Sequence, residues 1–100
     1  MRFVINGLKY DTENMEKVAN VKKWYESRSQ LIKAIYNNTK VGTIHDCELW
    51  KSKKGNWLLT HTKDYATKVG EAITEEEAKS LLMRYAPDDY EKRFEEIPEA

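Results

Sequence analysis

Apolar and polar positions along this chain change period several times, and each change marks a predicted element. Arg2-Phe3-Val4-Ile5 is β-branched and aromatic, which predicts a short strand. Asn6-Gly7 follows it and favours a tight type I′ turn, so Leu8-Lys9-Tyr10 either returns as a hairpin partner or continues past a bend. Asp11 and Thr12 then offer helix caps, with Glu13 and Glu16 in the favourable first turn. Met15, Val18, Val21, Tyr25, Ile32 and Ile35 step by three, four or seven, which is helical spacing. The expected elements are a helix from about Thr12 to Glu26, a break at Ser27-Arg28-Ser29, and helix again to about Tyr36. The polar cluster from Asn37 to Gly42 ends it.

Thr43 to Ser52 and Asn56 to Thr62 form the clearest hairpin, joined through Lys53-Lys54-Gly55. Gly55 stands where a three-residue loop needs a left-handed residue. That turn sets Lys51 opposite Trp57, Leu49 opposite Leu59, and Cys47 opposite His61. One side of the ribbon then carries His45, Cys47, Leu49, Lys51, Trp57, Leu59 and His61 and is the better core candidate. The other carries Ile44, Asp46, Glu48, Trp50, Leu58, Thr60 and Thr62, which leaves Trp50 and Leu58 among acids and hydroxyls.

Lys63 to Ala72 is expected to be a connecting stretch containing Gly70. Thr74-Glu75-Glu76-Glu77 is a capping box, and the helix it starts carries Ala78, Leu81, Leu82 and Tyr85 on one face. Pro87 restarts a short helix with Asp88 and Asp89 behind it, and Tyr90, Phe94 and Ile97 form its apolar stripe. The order is strand, helix, hairpin, helix, short helix. The expected fold is α+β: a three-stranded antiparallel sheet with helices packed mainly on one face, as a single domain over residues 1–100.

Composition adds one cysteine, Cys47, which cannot form an internal disulfide and fits a reducing compartment. No apolar run approaches the roughly 20 residues a membrane crossing requires. The N-terminal stretch is too short for a signal peptide, so a cytoplasmic protein without a membrane partner is expected. The formal net charge is zero, but it is unevenly distributed. Residues 1–68 sum to +6 and residues 69–100 to −6.

Two basic-aromatic clusters lie in the positive part: Lys22 and Lys23 beside Trp24-Tyr25, and Trp50, Lys51, Lys53 and Lys54 around the hairpin turn. A basic ribbon with an exposed tryptophan could follow a phosphate backbone and stack on a base, although lysine-rich hairpin tips also serve solubility alone. His45, Cys47 and His61 share a ribbon face and are possible zinc ligands, but no fourth ligand is evident and the spacing matches no zinc-finger pattern. Read as a thiol and a base, the same trio has no orienting third group. The four glycines are too scattered for a phosphate loop. No catalytic residue, metal site or cofactor is expected. The negative part places Glu75, Glu76, Asp88, Asp89, Glu91, Glu95 and Glu96 on two short helices. They either complement the basic body internally or face outward to meet a basic partner.

Three segments carry a resemblance. Tyr10-Asp11-Thr12-Glu13, the hairpin from Leu49 to Leu59, and Ile73-Thr74-Glu75-Glu76-Glu77-Ala78 resemble small proteins of phages and mobile elements of Gram-positive bacteria. Some such proteins act as anti-defence factors, including anti-CRISPR proteins. The resemblance covers about a third of the chain, its motifs are structural, and it implies a compact binder with no catalytic residues to carry over.

The leading expectation is therefore a small non-catalytic inhibitor of a host nucleic-acid-handling machine. Its partner would be a protein or ribonucleoprotein such as a CRISPR effector, masked through Glu75, Glu76, Asp88, Asp89, Glu91, Glu95 and Glu96. The alternative is a nucleic-acid-binding module using Lys22, Lys23, Trp50, Lys51, Lys53 and Lys54.

Overall fold

A computed structural model describes residues 1–26, 42–63 and 66–100. Strands β1 (Arg2–Ile5) and β2 (Leu8–Asp11) form an antiparallel hairpin, with Phe3 opposite Tyr10. Its turn uses positive φ at both central residues, 52° at Asn6 and 78° at Gly7, so the chain returns on itself rather than bending onward. A 3-10 turn at Thr12–Asn14 follows, with the Asp11 carboxylate accepting from the Glu13 N–H.

The next four strands are β3 (Glu16–Glu26), β4 (Gly42–Lys51), β5 (Trp57–Lys63) and β6 (Thr67–Ile73), a second sheet in the order β3-β4-β5-β6 with every pairing antiparallel. Helices α1 (Glu75–Tyr85) and α2 (Pro87–Arg93) complete the described chain. None of the described helices is long and apolar enough to cross a membrane.

The architecture is α+β but corrects the expected three-stranded sheet: β1 pairs only with β2, in a two-stranded sheet of its own, and the main sheet differs in two further places. Residues 16–26 are a strand, not the second part of a helix that begins at Thr12. The reason is a register shift between Lys17 and Ala19, where β3 bulges against β4. A bulge inserts one residue into a period-two pattern, so Val18 and Val21 are both buried at a spacing of three. Three is also a helical step, and the local pattern alone does not separate the two. Pairing with β4, far along the chain, decides for strand. The expected helix to Tyr36 lies outside the described residues.

The second correction is β6. The stretch read as a connection holds the outer strand of the sheet, with Gly70 opposite Thr60. Gly70 is there for space: a Cβ at this position would lie 2.7 Å from the Phe3 ring. The β1–β2 hairpin therefore rests on β6 on the side away from the helices, where Leu58 and Thr60 are buried and Trp50 is half-buried. The Trp50 indole N–H donates to the Thr60 hydroxyl at 3.0 Å on this face.

The β4–β5 ribbon has the register its turn dictates, with Lys51, Leu49 and Cys47 opposite Trp57, Leu59 and His61. Gly55 takes φ +89°. The main core forms where Val18, Val21, Cys47, Leu49, Trp57 and Leu59 meet Ala78, Leu82 and Tyr90 from the two helices. Thr74 caps α1, its hydroxyl accepting from the Glu77 N–H at 3.2 Å, and Pro87 opens α2. Phe94 and Ile97 extend the α2 stripe onto the same core. Burying Leu49, Leu59 and Leu82 completely contributes about 1.5–3 kcal/mol each relative to exposure.

Candidate functional site

Two regions of the molecule carry unassigned chemistry, and they have opposite character. One is a packed group of polar side chains at an end of the four-stranded sheet. The other is the outer surface of the helices.

The sheet region begins with the edge strands. Lys23 and Tyr25 on β3 and Glu71 on β6 come from opposite edges, with β4 and β5 between them. The Lys23 ammonium nevertheless donates to Glu71 Oε1 at 2.7 Å, and the Tyr25 hydroxyl donates to the same oxygen at 3.5 Å. The Lys23 Nζ also lies 5.2 Å from the centre of the Tyr25 ring. Such closure needs the coiled sheet that right-handed strand twist produces.

His45 from β4 and His61 from β5 lie under this closure. Their rings are 5.0 Å apart. Tyr25 stacks on His61 at 4.4 Å and 28°, and meets His45 edge-on at 5.5 Å. His45 Nε2 is 3.0 Å from the Thr43 hydroxyl, whereas His61 Nδ1 is buried with no hydrogen-bond partner among the described residues. Burial, with the adjacent His45 second, holds the His61 imidazole below its ordinary range.

Cys47 sits opposite His61, and its thiol donates to the His45 carbonyl at 3.4 Å. Burial pushes the Cys47 thiol up, and burial with the neighbouring Cys47 and Glu71 pushes the Tyr25 hydroxyl up. A thiol that retains its proton is the reverse of an activated nucleophile. Among the described residues, no group of three or more His, Cys, Asp or Glu side chains is placed to hold a metal ion.

No protein-family model, curated protein or solved structure matches this chain. Function is therefore argued from the residues themselves.

The helical surface is simpler. Glu75 and Glu76 are exposed at the start of α1, where the helix dipole favours them. Asp88 and Asp89 occupy the same position on α2, exposed and half-buried respectively. Glu91 is exposed and accepts from the Ile97 N–H at 3.0 Å, and Glu95 and Glu96 lie exposed beyond α2. None of these seven acids forms an ion pair within the described residues.

The sheet, in contrast, pairs four of its lysines with its own acids, and its Glu16 pairs with Arg93 of α2. Lys22 pairs with Asp46, Lys23 with Glu71, and Glu48 accepts both Lys17 and Lys68. Lys51 lies over the Trp57 ring at 5.3 Å. Lys53 and Lys54 are exposed at the hairpin tip. Of the basic and aromatic set in the sequence, Lys22 and Lys23 point to opposite sheet faces, and Trp50 is half-buried and hydrogen-bonded.

Lys23, Tyr25 and Glu71 were not linked by sequence reasoning. The available signal was the alternation Ala19, Val21, Lys23, Tyr25 beyond the bulge, which places those four residues on one sheet face.

Proposed function

We propose that this protein is a non-catalytic binder that covers a basic surface with its acidic helical layer. One observation supports the reading above all: among the described residues the seven acids form no ion pair, while Lys17, Lys22, Lys23 and Lys68 of the sheet are taken up by the sheet's own acids. Had the two charged parts faced each other, Glu75, Glu76, Asp88, Glu95 and Glu96 would pair with sheet lysines, and among the described residues they do not.

Exposed like charge accelerates encounter with an oppositely charged partner and selects against partners of the same sign. A basic groove built for a phosphate backbone is the natural complement of such a layer. On the resemblance to phage and mobile-element proteins, that partner would be a host nucleic-acid-handling machine, with a CRISPR effector as the most concrete case.

Capture experiments with wild-type protein and a variant in which Glu75, Glu76, Asp88, Glu95 and Glu96 are amidated by substitution (Glu→Gln, Asp→Asn) test this reading. The wild type retains a basic partner that added DNA or RNA displaces, and the variant loses it. Equal retention by both proteins would remove the masking role.

A further inference from the structure

The closure over the two imidazoles is a second device, independent of the acidic helices. Lys23 and Tyr25 from one edge strand meet Glu71 from the other, and His45 and His61 lie between the edges in contact with Tyr25. We propose that His61, stacked under Tyr25 with an Nδ1 that has no partner among the described residues, is an acid-sensitive latch: its protonation parts the Tyr25–His61 stack and opens this end of the sheet.

The charges around His61 favour this outcome. From β3 it faces Lys23 and Tyr25, from β4 His45 and Cys47, and from β6 Glu71, while Lys68 acts from the opposite sheet face, where it pairs with Glu48. Glu71 is the single carboxylate in that group, and Lys23 already occupies it at 2.7 Å. A proton on His61 therefore adds a cation to a site whose one anion among the described residues is taken, 5.0 Å from the ring of His45. The Nδ1 atom is buried without a partner among the described residues, so the new N–H gains no acceptor from them in the closed arrangement.

Leaving the stack brings the imidazolium to water and relieves both costs. Tyr25 moves with it, because its ring is the cover. The same movement uncovers Cys47, which is 2% exposed in the closed form and is the only thiol in the chain.

The sign follows from His61 being held below its unfolded value of about 6.5. Closure is complete above that pH and weakens as the pH falls through the value His61 has in the fold.

Cys47 reports the opening directly. Its rate of reaction with dithiodipyridine is measured at about pH 7.5 and about pH 5.5, and each rate is divided by that of the urea-unfolded chain at the same pH. The quotient removes the intrinsic ionisation of the thiol. It is expected to rise several-fold on acidification, because the open form takes up the proton more readily than the closed one. In His61→Phe, which keeps a stacked ring and cannot take a proton, the quotient stays level.

Amide protons of Leu58 and Leu59 keep their protection throughout, because the opening is local. A wild-type quotient that is level, that rises equally in His61→Phe, or that rises only as Leu58 and Leu59 lose protection overturns the proposal. Should His61→Phe fail to fold, the ring proton of His61 followed by NMR in the wild type decides. Titration below 6.5, with Tyr25 ring signals moving in step, supports the latch. Titration at or above that value, or unmoved Tyr25 signals, overturns it.

Discussion

Lys23 and Glu71 join the two edge strands of a four-stranded sheet through a 2.7 Å ion pair, 48 residues apart in sequence. The pair closes over His45 and His61 and gives one end of the sheet a polar, packed interior. Both partners remain partly exposed, at 31% and 41%, so water screens them. A double-mutant cycle with Lys23→Met and Glu71→Gln, read by urea unfolding, is expected to give a coupling of about 0.5–1 kcal/mol. A coupling of zero would mean that the contact closes the sheet without stabilising it.

Gly70 has no freedom to grow. A Cβ there meets the Phe3 ring at 2.7 Å, and the ring is held by the β1–β2 hairpin. Gly70→Ala is expected to cost roughly 1–3 kcal/mol by overpacking. Combining it with Phe3→Leu should recover part of that loss. Thermal unfolding of the three variants checks both statements.

The acid limb of the stability curve has two steps. The lower one comes from Glu48 and Glu16. Hydrogen bonds from Lys68 and from Arg93, respectively, hold these carboxyls below the usual value of 4.5. Their folded-state pKa is depressed, so their stabilisation is present above about pH 4.5 and is lost as the pH falls below it. Glu48→Gln should flatten this step and leave the His61 step, which begins near 6.5, in place. Urea midpoints measured across the acid range separate the two.

Helix α1 starts where its cap says. Thr74→Ala removes the acceptor of the Glu77 N–H and is expected to destabilise by about 1 kcal/mol. Thr74→Asp should retain most of the stability, since it keeps an oxygen at the same position. Circular dichroism during thermal unfolding provides the measurement.

Local rules made much of this molecule readable. The Lys53-Lys54-Gly55 turn fixed the β4–β5 register through Cys47 and His61, and Thr74 with Glu77 marked the start of α1. Asn6-Gly7 signalled the first hairpin. What could not be read were long-range decisions. The bulge near Val18 gave β3 a helical spacing, and only β4 reveals its strand character. Gly70 looks like a breaker until Phe3 is placed upon it. The Lys23–Tyr25–Glu71 closure depends on both of those strands, so it was invisible to local periodicity. The acids of the helices were legible as a set, because capping and amphipathic spacing already placed Glu75, Asp88 and their neighbours on solvated turns.

The central claim is that the unpaired acids of α1, α2 and the segment beyond them bind a basic surface in competition with nucleic acid. Its most direct test is quantitative capture on immobilised wild-type protein from the lysate of a Gram-positive bacterium, the host that the proposal implies. The account expects retained nucleic-acid-binding proteins that elute with salt and are displaced by added DNA or RNA. The five-site neutralised variant, folded by circular dichroism, should not retain them. Retention of the same proteins by that variant, or retention that nucleic acid does not displace, would contradict the account.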